Sequence, residues 1–402
     1  VDVSEKDISY NRLIGTSIAA KMLVDTAVQI FNPFLGIIAA GIGVDVVTMG
    51  RLLSLRSLMG LFAPLFGAVA DRRGYRLIIR IGLLITALSL FAFGLSSSLL
   101  LAAPAMMAMG IGIAAFVPTL QAYVSARLPY AKRARGLGMV EYSWALTGII
   151  GLSLAGLIIA RTSWRLPMFL LGAGILVMWG VFARMPAARP APPDANAPLV
   201  IAPRLSLKSI RSFFALGHNA RSTFSTMLTG GLNYFAAMQL MIIYGVWLND
   251  RFGLGPASLG AVAFVLGLFD LAASVSVSLF TDRIGKRRSV IMGMLVSLVW
   301  YLLIPSLATG VVLAVLSIAV ARFGFEFAIV SYFPLLSEQT PEQRGKVMTL
   351  GAANSLLFAT AAGFTAPWLY TSFGIAGPTA VSAVAVVVAL AVILTLVRER
   401  YG

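Results

Sequence analysis

The sequence contains no cysteine and one histidine, His218, among 402 residues. Disulfides, thiol nucleophiles and thiolate metal sites are excluded, and a lone histidine in a polar connection reads as solvated or interfacial, not as a metal centre. Charge is also scarce: Asp, Glu, Lys and Arg make up 11% of the chain, against roughly 25% in a soluble domain. No nucleotide-binding G-x-x-x-x-G-K-[ST] loop occurs, and no Ser, His or Cys constellation suits nucleophilic catalysis. Neither an enzyme nor an ATP-driven pump is expected, and no cofactor is implied.

What fills the chain instead is apolar, 59% of it hydrophobic with a mean hydropathy of +0.91. Runs long enough to cross a bilayer, about 20 residues each, recur at 11–38, 47–69, 78–97, 100–126, 138–160, 166–184, 223–247, 257–280, 289–308, 311–335, 347–370 and 378–397. The expected fold is an all-α polytopic membrane protein with twelve transmembrane helices in two pseudo-symmetric six-helix bundles. The first run has polar flanks, holds Lys21 and Asp25 and lacks a small-residue cleavage site, so it reads as a mature helix and not a signal peptide.

The formal charge of +16 would suit nucleic acid if it were clustered on a soluble surface. Sorted by connection, 24 of the 31 Lys and Arg fall on one side: the N-terminus, the loops after spans 2, 4, 6, 8 and 10, and the C-terminus. Only Arg51, Arg161, Arg165 and Arg251 fall on the other, and Lys21, Arg56 and Arg322 lie inside spans. Basic loops stay cytoplasmic. Both termini are therefore expected in the cytoplasm of a bacterial inner membrane, with anionic lipid as a partner of the basic loops and nucleic acid excluded.

The segment Arg184 to Arg204 holds six of the 18 prolines and no long apolar run, a composition that favours an extended, hydrated linker. It divides the chain into a bundle at 1–184, a linker at 185–222 and a bundle at 223–402. Leu205 to Leu216 mixes Leu, Ile and Phe with basic residues and suits either a short helix lying on the cytoplasmic membrane surface or a plain linker helix. The halves repeat one another. GAVADRRGYR at 67–76 returns as SLFTDRIGKRR at 278–288, with Asp71 and Asp282 211 positions apart. The Arg135-Gly136 turn after span 4 returns as Arg344-Gly345 after span 10, 209 positions on. Two six-helix units with ends on the same side would be parallel copies.

These turns, G-x-x-x-D-R-x-G with basic residues between spans 2 and 3, their echo between spans 8 and 9, the R-G turns and the proline-rich central loop together resemble the major facilitator superfamily. The resemblance implies a twelve-helix secondary transporter that rocks one half against the other. Spans 1, 4, 7 and 10 would line the cavity, 2, 5, 8 and 11 would form the interface, and 3, 6, 9 and 12 would face lipid. Charge placement agrees, because ions avoid lipid-facing helices: Lys21, Asp25, Arg56, Asp270, Arg322 and Glu326 fall in spans 1, 2, 8 and 10, with Glu141 near the start of 5.

Asp25, Asp270 and Glu326 are candidate proton-coupling carboxylates, since burial and a neighbouring cation move a carboxyl pKa in opposite directions. Lys21 with Asp25, and Arg322 with Glu326, are four residues apart and share helix faces; fixed ion pairing is the alternative reading. Candidate substrate contacts are Lys21, Gln29, Asn32, Arg56, Asn233, Tyr234, Gln239, Arg322 and Phe323, amides and aromatics that suit an amphipathic small molecule. The resemblance assigns Gly67, Asp71, Arg72, Gly74, Arg76 and Arg135, with Asp282, Arg283, Gly285, Arg287 and Arg344, to a cytoplasmic gate. There Asp71 would meet the start of span 11, Glu141 would pair with Arg283 or Arg287, and Arg72 and Arg76 would bridge to acids or lipid phosphates.

Span 5 reads TGIIGLSLAG at 147–156, which partly resembles the antiporter signature of drug:proton exporters. Gly151 and Gly156 match; Leu152 and Ala155 depart, as does Met106 in span 4, where those exporters carry arginine. The reading is a monomeric, proton-coupled exporter of amphipathic organic compounds. Uptake of a small carboxylate or sugar, and export of an anionic lipid-like molecule, are the alternatives.

Overall fold

The computed structural model describes residues 9–186, 219–340 and 343–398. His218, most of the linker and the anticipated surface helix at 205–216 lie outside them, and so does the side chain of Asp71. Every regular element among the described residues is a helix. In hydrocarbon a backbone must satisfy its own N–H and C=O groups, and helices do so within one segment.

All twelve expected spans are present, with ends shifted by up to five residues, except that span 5 begins about two turns earlier, at Tyr130. Spans 3, 4 and 6 are Tyr75–Leu95, Leu99–Arg127 and Arg165–Arg184; spans 7 to 9 are Ala220–Phe252, Pro256–Ile284 and Lys286–Leu307; spans 10 to 12 are Val311–Gln339, Arg344–Phe373 and Ala376–Leu396. The remaining three are interrupted, which periodicity did not foretell. Span 1 consists of Tyr10–Gln29 and Phe31–Ile42, bent by 54°. Pro33 has no N–H for the Gln29 carbonyl, and Phe34 (φ −111°, ψ 18°) completes the bend. Span 2 passes from Val46–Met59 through a 3₁₀ turn at Gly60–Phe62 to Ala63–Arg73. Span 5 passes from Tyr130–Leu146 through a π-helical turn at Thr147–Leu152 to Ser153–Arg161.

The duplication extends into the packing. Between spans 3 and 4, a methyl group on Gly82 would lie 2.8 Å from the Gly112 carbonyl oxygen; between spans 9 and 10, one on Gly293 would lie 2.6 Å from that of Gly324. One turn on, Thr86 and Ser297 return their hydroxyls to the carbonyls of Gly82 and Gly293, at 2.8 and 3.1 Å. Small residues let helices approach where lipid supplies no hydrophobic drive. The turn glycines also match: Gly74 has φ 93°, ψ 143° and Gly285 has φ 96°, ψ 142°, a conformation open to a residue without Cβ.

Between the halves, spans 2 and 11 meet at Gly50 and Gly363, and Ser54 Oγ donates to the Thr360 carbonyl at 2.8 Å. Spans 5 and 8 meet at Gly156 and Gly260 and again at Gly148 and Gly267. Gly245 of span 7 abuts the Pro33 backbone of span 1. These contacts run from the end opposite the basic turns to just past mid-membrane, ending near Gly60 against Leu356. Beyond that, Ala63–Arg73 packs on spans 3 and 4 of its own half and leaves Pro64, Leu65 and Val69 exposed. The halves are closed at the far end and apart at the basic end.

Candidate functional site

Two ion networks lie within the spans, one in each half. In the first, Lys21 Nζ meets Asp25 Oδ2 at 2.9 Å, Ser143 Oγ at 3.2 Å and Glu141 Oε2 at 3.2 Å. An ammonium has three N–H donors, and all three are used. Ser143 in turn donates to Asp25 Oδ2 at 2.7 Å, and Gln121 donates to Glu141 Oε1 at 2.8 Å. Asp25 is sealed at 4% exposure, whereas the Glu141 side chain is 50% exposed on the open side. The i,i+4 spacing on span 1 creates the Lys21–Asp25 pair, and the small Ser143 lets span 5 close over it.

In the second network, Arg322 of span 10 grips Asp270 of span 8 through Nε to Oδ1 and Nη2 to Oδ2, both 2.7 Å, while Nη1 rests on the Met241 sulfur. Such a bidentate fork is the strongest geometry open to this pair. The expected intrahelical partnership of Arg322 with Glu326 is not formed, because the planar guanidinium matches a carboxylate presented from the neighbouring helix. Glu326 is left with the Ser274 hydroxyl at 3.5 Å and, among the described residues, no cation at ion-pair distance.

Arg56 has no carboxylate partner among the described residues either, but its cation is committed. Nη1 donates to the Val28 carbonyl at 3.0 Å, and the guanidinium lies 5.1 Å from the centre of the Phe31 ring. Val28 lies about a turn before Pro33, so this bond ties span 2 to the bend of span 1.

Gln29, Asn32 and Arg322 line a narrow cavity between the halves together with Gly148, Tyr244 and Gly267. The Gln29 amide nitrogen is buried there without a partner. Gln239 turns away to Thr365 within its own half, at 2.6 Å. Asn233 is buried. Tyr234 packs edge-on against Phe325, and Phe323 stacks on Phe327.

Among the described residues, no ion pair joins one expected gate residue to another. Arg72, Arg135, Asp282, Arg283 and Arg344 are exposed, Gly67 is partly exposed, and Asp71 sits near the end of span 2. Glu141 is held by Lys21 and Gln121, not by Arg283 or Arg287. Arg76 and Arg287, equivalent by the 211-residue offset, serve their own halves. Arg76 donates to the Met185 carbonyl that ends span 6, at 2.8 Å, and Arg287 to the Ile393 and Leu394 carbonyls near the end of span 12, at 3.0 and 2.9 Å. A cation at a helix C-terminus meets unsatisfied carbonyls and the negative end of the dipole, which outcompetes a distant acid. Lys286 pairs with Glu338.

The family model described as Major Facilitator Superfamily matches residues 18–245 and 226–402. The chain belongs to this superfamily. An uncharacterized MFS-type transporter of Bacillus subtilis, YceJ, is 25% identical over 359 residues, 87% of each chain. The Multidrug resistance protein MdtG of Serratia proteamaculans is 23% identical over 310 residues, covering 75% of this chain and 72% of its own. Among solved structures, a D-xylose-proton symporter superposes with a TM-score of 0.79 at 16% identity, over 97% of this chain and 99% of its own. The human organic anion transporter MFSD10 gives 0.71 at 18%, over 96% and 100%.

A Major Facilitator Superfamily chain with this many apolar helices is an integral membrane transporter with a secondary-transport fold. Within that frame, sequence reading missed Ser143, Met241, Ser274 and Tyr244. Each is a mildly polar or apolar residue in a hydrophobic run, and only the packing of another helix against it gives it a role. Ser143 alone carried a usable signal, two residues after Glu141 on span 5, but its partner is on span 1.

Proposed function

We propose that the chain is a proton-coupled exporter of amphipathic organic compounds working by alternating access. It would act in a bacterial inner membrane with both termini in the cytoplasm, and the basic end, open here, would face the cytoplasm. In this reading the bundles comprise 1–184 and 223–402, joined by the 185–222 linker, and the gate residues meet when the basic end closes. The observation that carries the proposal is the pair of carboxylate networks within the spans, where Asp25 and Asp270 hold cations and Glu326 has none at ion-pair distance among the described residues. A buried carboxylate without a counter-ion is costly when ionised, so exchanging a proton for substrate at Glu326 avoids leaving a bare charge. The partial antiporter signature in span 5 and the likeness to a multidrug resistance protein support export. Export of an anionic cargo has less support, because Arg56 and Arg322 are both engaged.

Reconstituted in liposomes with a pH gradient, the protein should move organic substrate against outward proton release, and Glu326→Gln should abolish the coupled proton flux. Substrate movement in the same direction as protons would mean uptake and would overturn the direction assigned here.

A further inference from the structure

We propose that the first half carries a phospholipid site on its outward side, at the basic end of spans 3 and 6, where Arg76 and Arg80 hold the phosphate of an anionic lipid. Neither arginine lines the narrow cavity between the halves, so the site stands apart from the cargo and its direction.

Arg76 and Arg80 are four residues apart on span 3, so their side chains leave one face of the helix about a turn apart. An arginine has five N–H donors, and Arg76 spends one on the Met185 carbonyl of span 6, at 2.8 Å. The Arg80 guanidinium lies 4.4 Å from the centre of the Trp179 ring of span 6, and its Nε is buried without an acceptor. Both arginines are partly exposed, and among the described residues neither has a carboxylate at ion-pair distance. Leu77 and Ile81 beside Arg80, and Val177 beside Trp179, are exposed, which puts the pair on the hydrocarbon-facing surface. Six residues separate Arg80 from the turn at Gly74, about 9 Å along the helix, so the guanidinium stands near the boundary of hydrocarbon and headgroups. A charge at that depth without a counter-ion is costly, and lipid phosphate is the anion the surroundings supply.

The chain brings no anion of its own to this surface. Spans 3, 4 and 6 contain no Asp or Glu, and residues 187–218 carry one acid, Asp194, against four Lys and Arg. The second half is built otherwise. At the 211-residue offset Ile291 stands in the place of Arg80 and Leu390 in that of Trp179, and Lys286, at the start of span 9, has a carboxylate in Glu338 of span 10. Two arginines beside an indole fit a phosphodiester. The guanidinium fork takes two phosphate oxygens, the stacked ring fixes the plane of the fork, and tryptophan favours the interfacial level of a bilayer. Leu77, Ile81 and Val177 would meet the acyl chains, which a soluble phosphate lacks.

Native mass spectrometry of the purified full-length protein in detergent, with phosphatidylglycerol and phosphatidylcholine of the same chains in competition, reads the preference directly. The anionic lipid should be favoured by about tenfold, the scale of one charge-assisted contact. Arg80→Gln should remove that preference, and Arg80→Lys, which keeps the charge but not the fork, should retain part of it. Arg288→Gln, the same change at an exposed arginine of the second half, should leave it unchanged. Equal binding of the two lipids to the unaltered protein, a preference that survives Arg80→Gln, or an equal loss in Arg288→Gln would overturn the inference. Millimolar glycerol 3-phosphate should not displace the lipid; if it does, the site reads a soluble anion and the lipid assignment fails. Where Arg80→Gln does not fold, Arg80→Lys decides: a preference as large as that of the unaltered protein would take the fork out of the site and sink the proposal.

Discussion

At the scale of single residues, Lys21, Asp25, Asp270 and Arg322 are held in ion pairs, whereas Arg56 rests on a carbonyl and a ring. Replacing Arg322 by Met leaves Asp270 buried without its fork. Breaking one side of a buried pair typically costs about 3–5 kcal/mol, so thermal unfolding in detergent should show a large loss, partly recovered when Asp270→Leu is added. Ser143→Ala should cost about 1–3 kcal/mol, the range for an orphaned buried partner, since Asp25 keeps Lys21. A smaller effect belongs to Asp45, which caps the helix opening at Val46 by accepting from the Thr48 N–H at 2.6 Å. Hydrogen bonding from Thr48 holds its carboxyl below the ordinary range. A depressed folded pKa means the cap contributes fully above the unfolded value of about 3.9 and is lost as pH falls through the lower folded value. Asp45→Asn should flatten the acid limb of a stability–pH curve slightly, the site being open to solvent.

At the scale of helices, the interruptions and close approaches matter more than the apolar runs. Gly148 sits in the π turn of span 5, where a side chain would strike the Ala263 carbonyl and the Gly267 backbone, both 2.9 Å from a β-carbon. Gly148→Val should therefore wedge spans 5 and 8 apart and slow transport, measured in liposomes. Gly138 of the same span has nothing near a β-carbon, and Gly138→Ala should leave transport intact while stabilising the helix by about 0.5–1 kcal/mol. The spans themselves were legible because twelve apolar runs need only length and hydropathy to be recognised. The Lys21–Asp25 pair was legible because helical spacing is local. The partner of Arg322 was not: Glu326 is four residues away in sequence, but Asp270 is presented by span 8 and the choice is made in three dimensions. The bend at Pro33 could have been anticipated from the missing N–H. The π turn could not, because it depends on Gly151 meeting Thr26 of span 1 and Gly148 meeting span 8 at once.

At the scale of the whole molecule, two copies of one six-helix unit meet through glycine pairs at the far end and stand apart at the basic end. The lack of native cysteine makes that separation measurable. Spin labels on Val69→Cys and Thr349→Cys, both exposed and on opposite halves, should report a long distance in the state described here. Glu326→Gln, which mimics the protonated acid of the proposed cycle, should increase the short-distance population, and a distance distribution it leaves unchanged would separate protonation at Glu326 from closure.

In the alternating-access motion proposed above, the lowest contact between halves on span 2, Gly60 against Leu356, would act as a fulcrum. Gly74, at the turn, is fourteen residues further along the chain, an arm of about 21 Å at 1.5 Å per residue. A tilt of about 20° about that point would carry the arm's tip by about 7 Å, more than a helical turn, without bending any helix. On that reading the span of the mouth would be set by leverage: moving the glycine contact one turn toward the basic end would shorten the arm by about a quarter and narrow the opening.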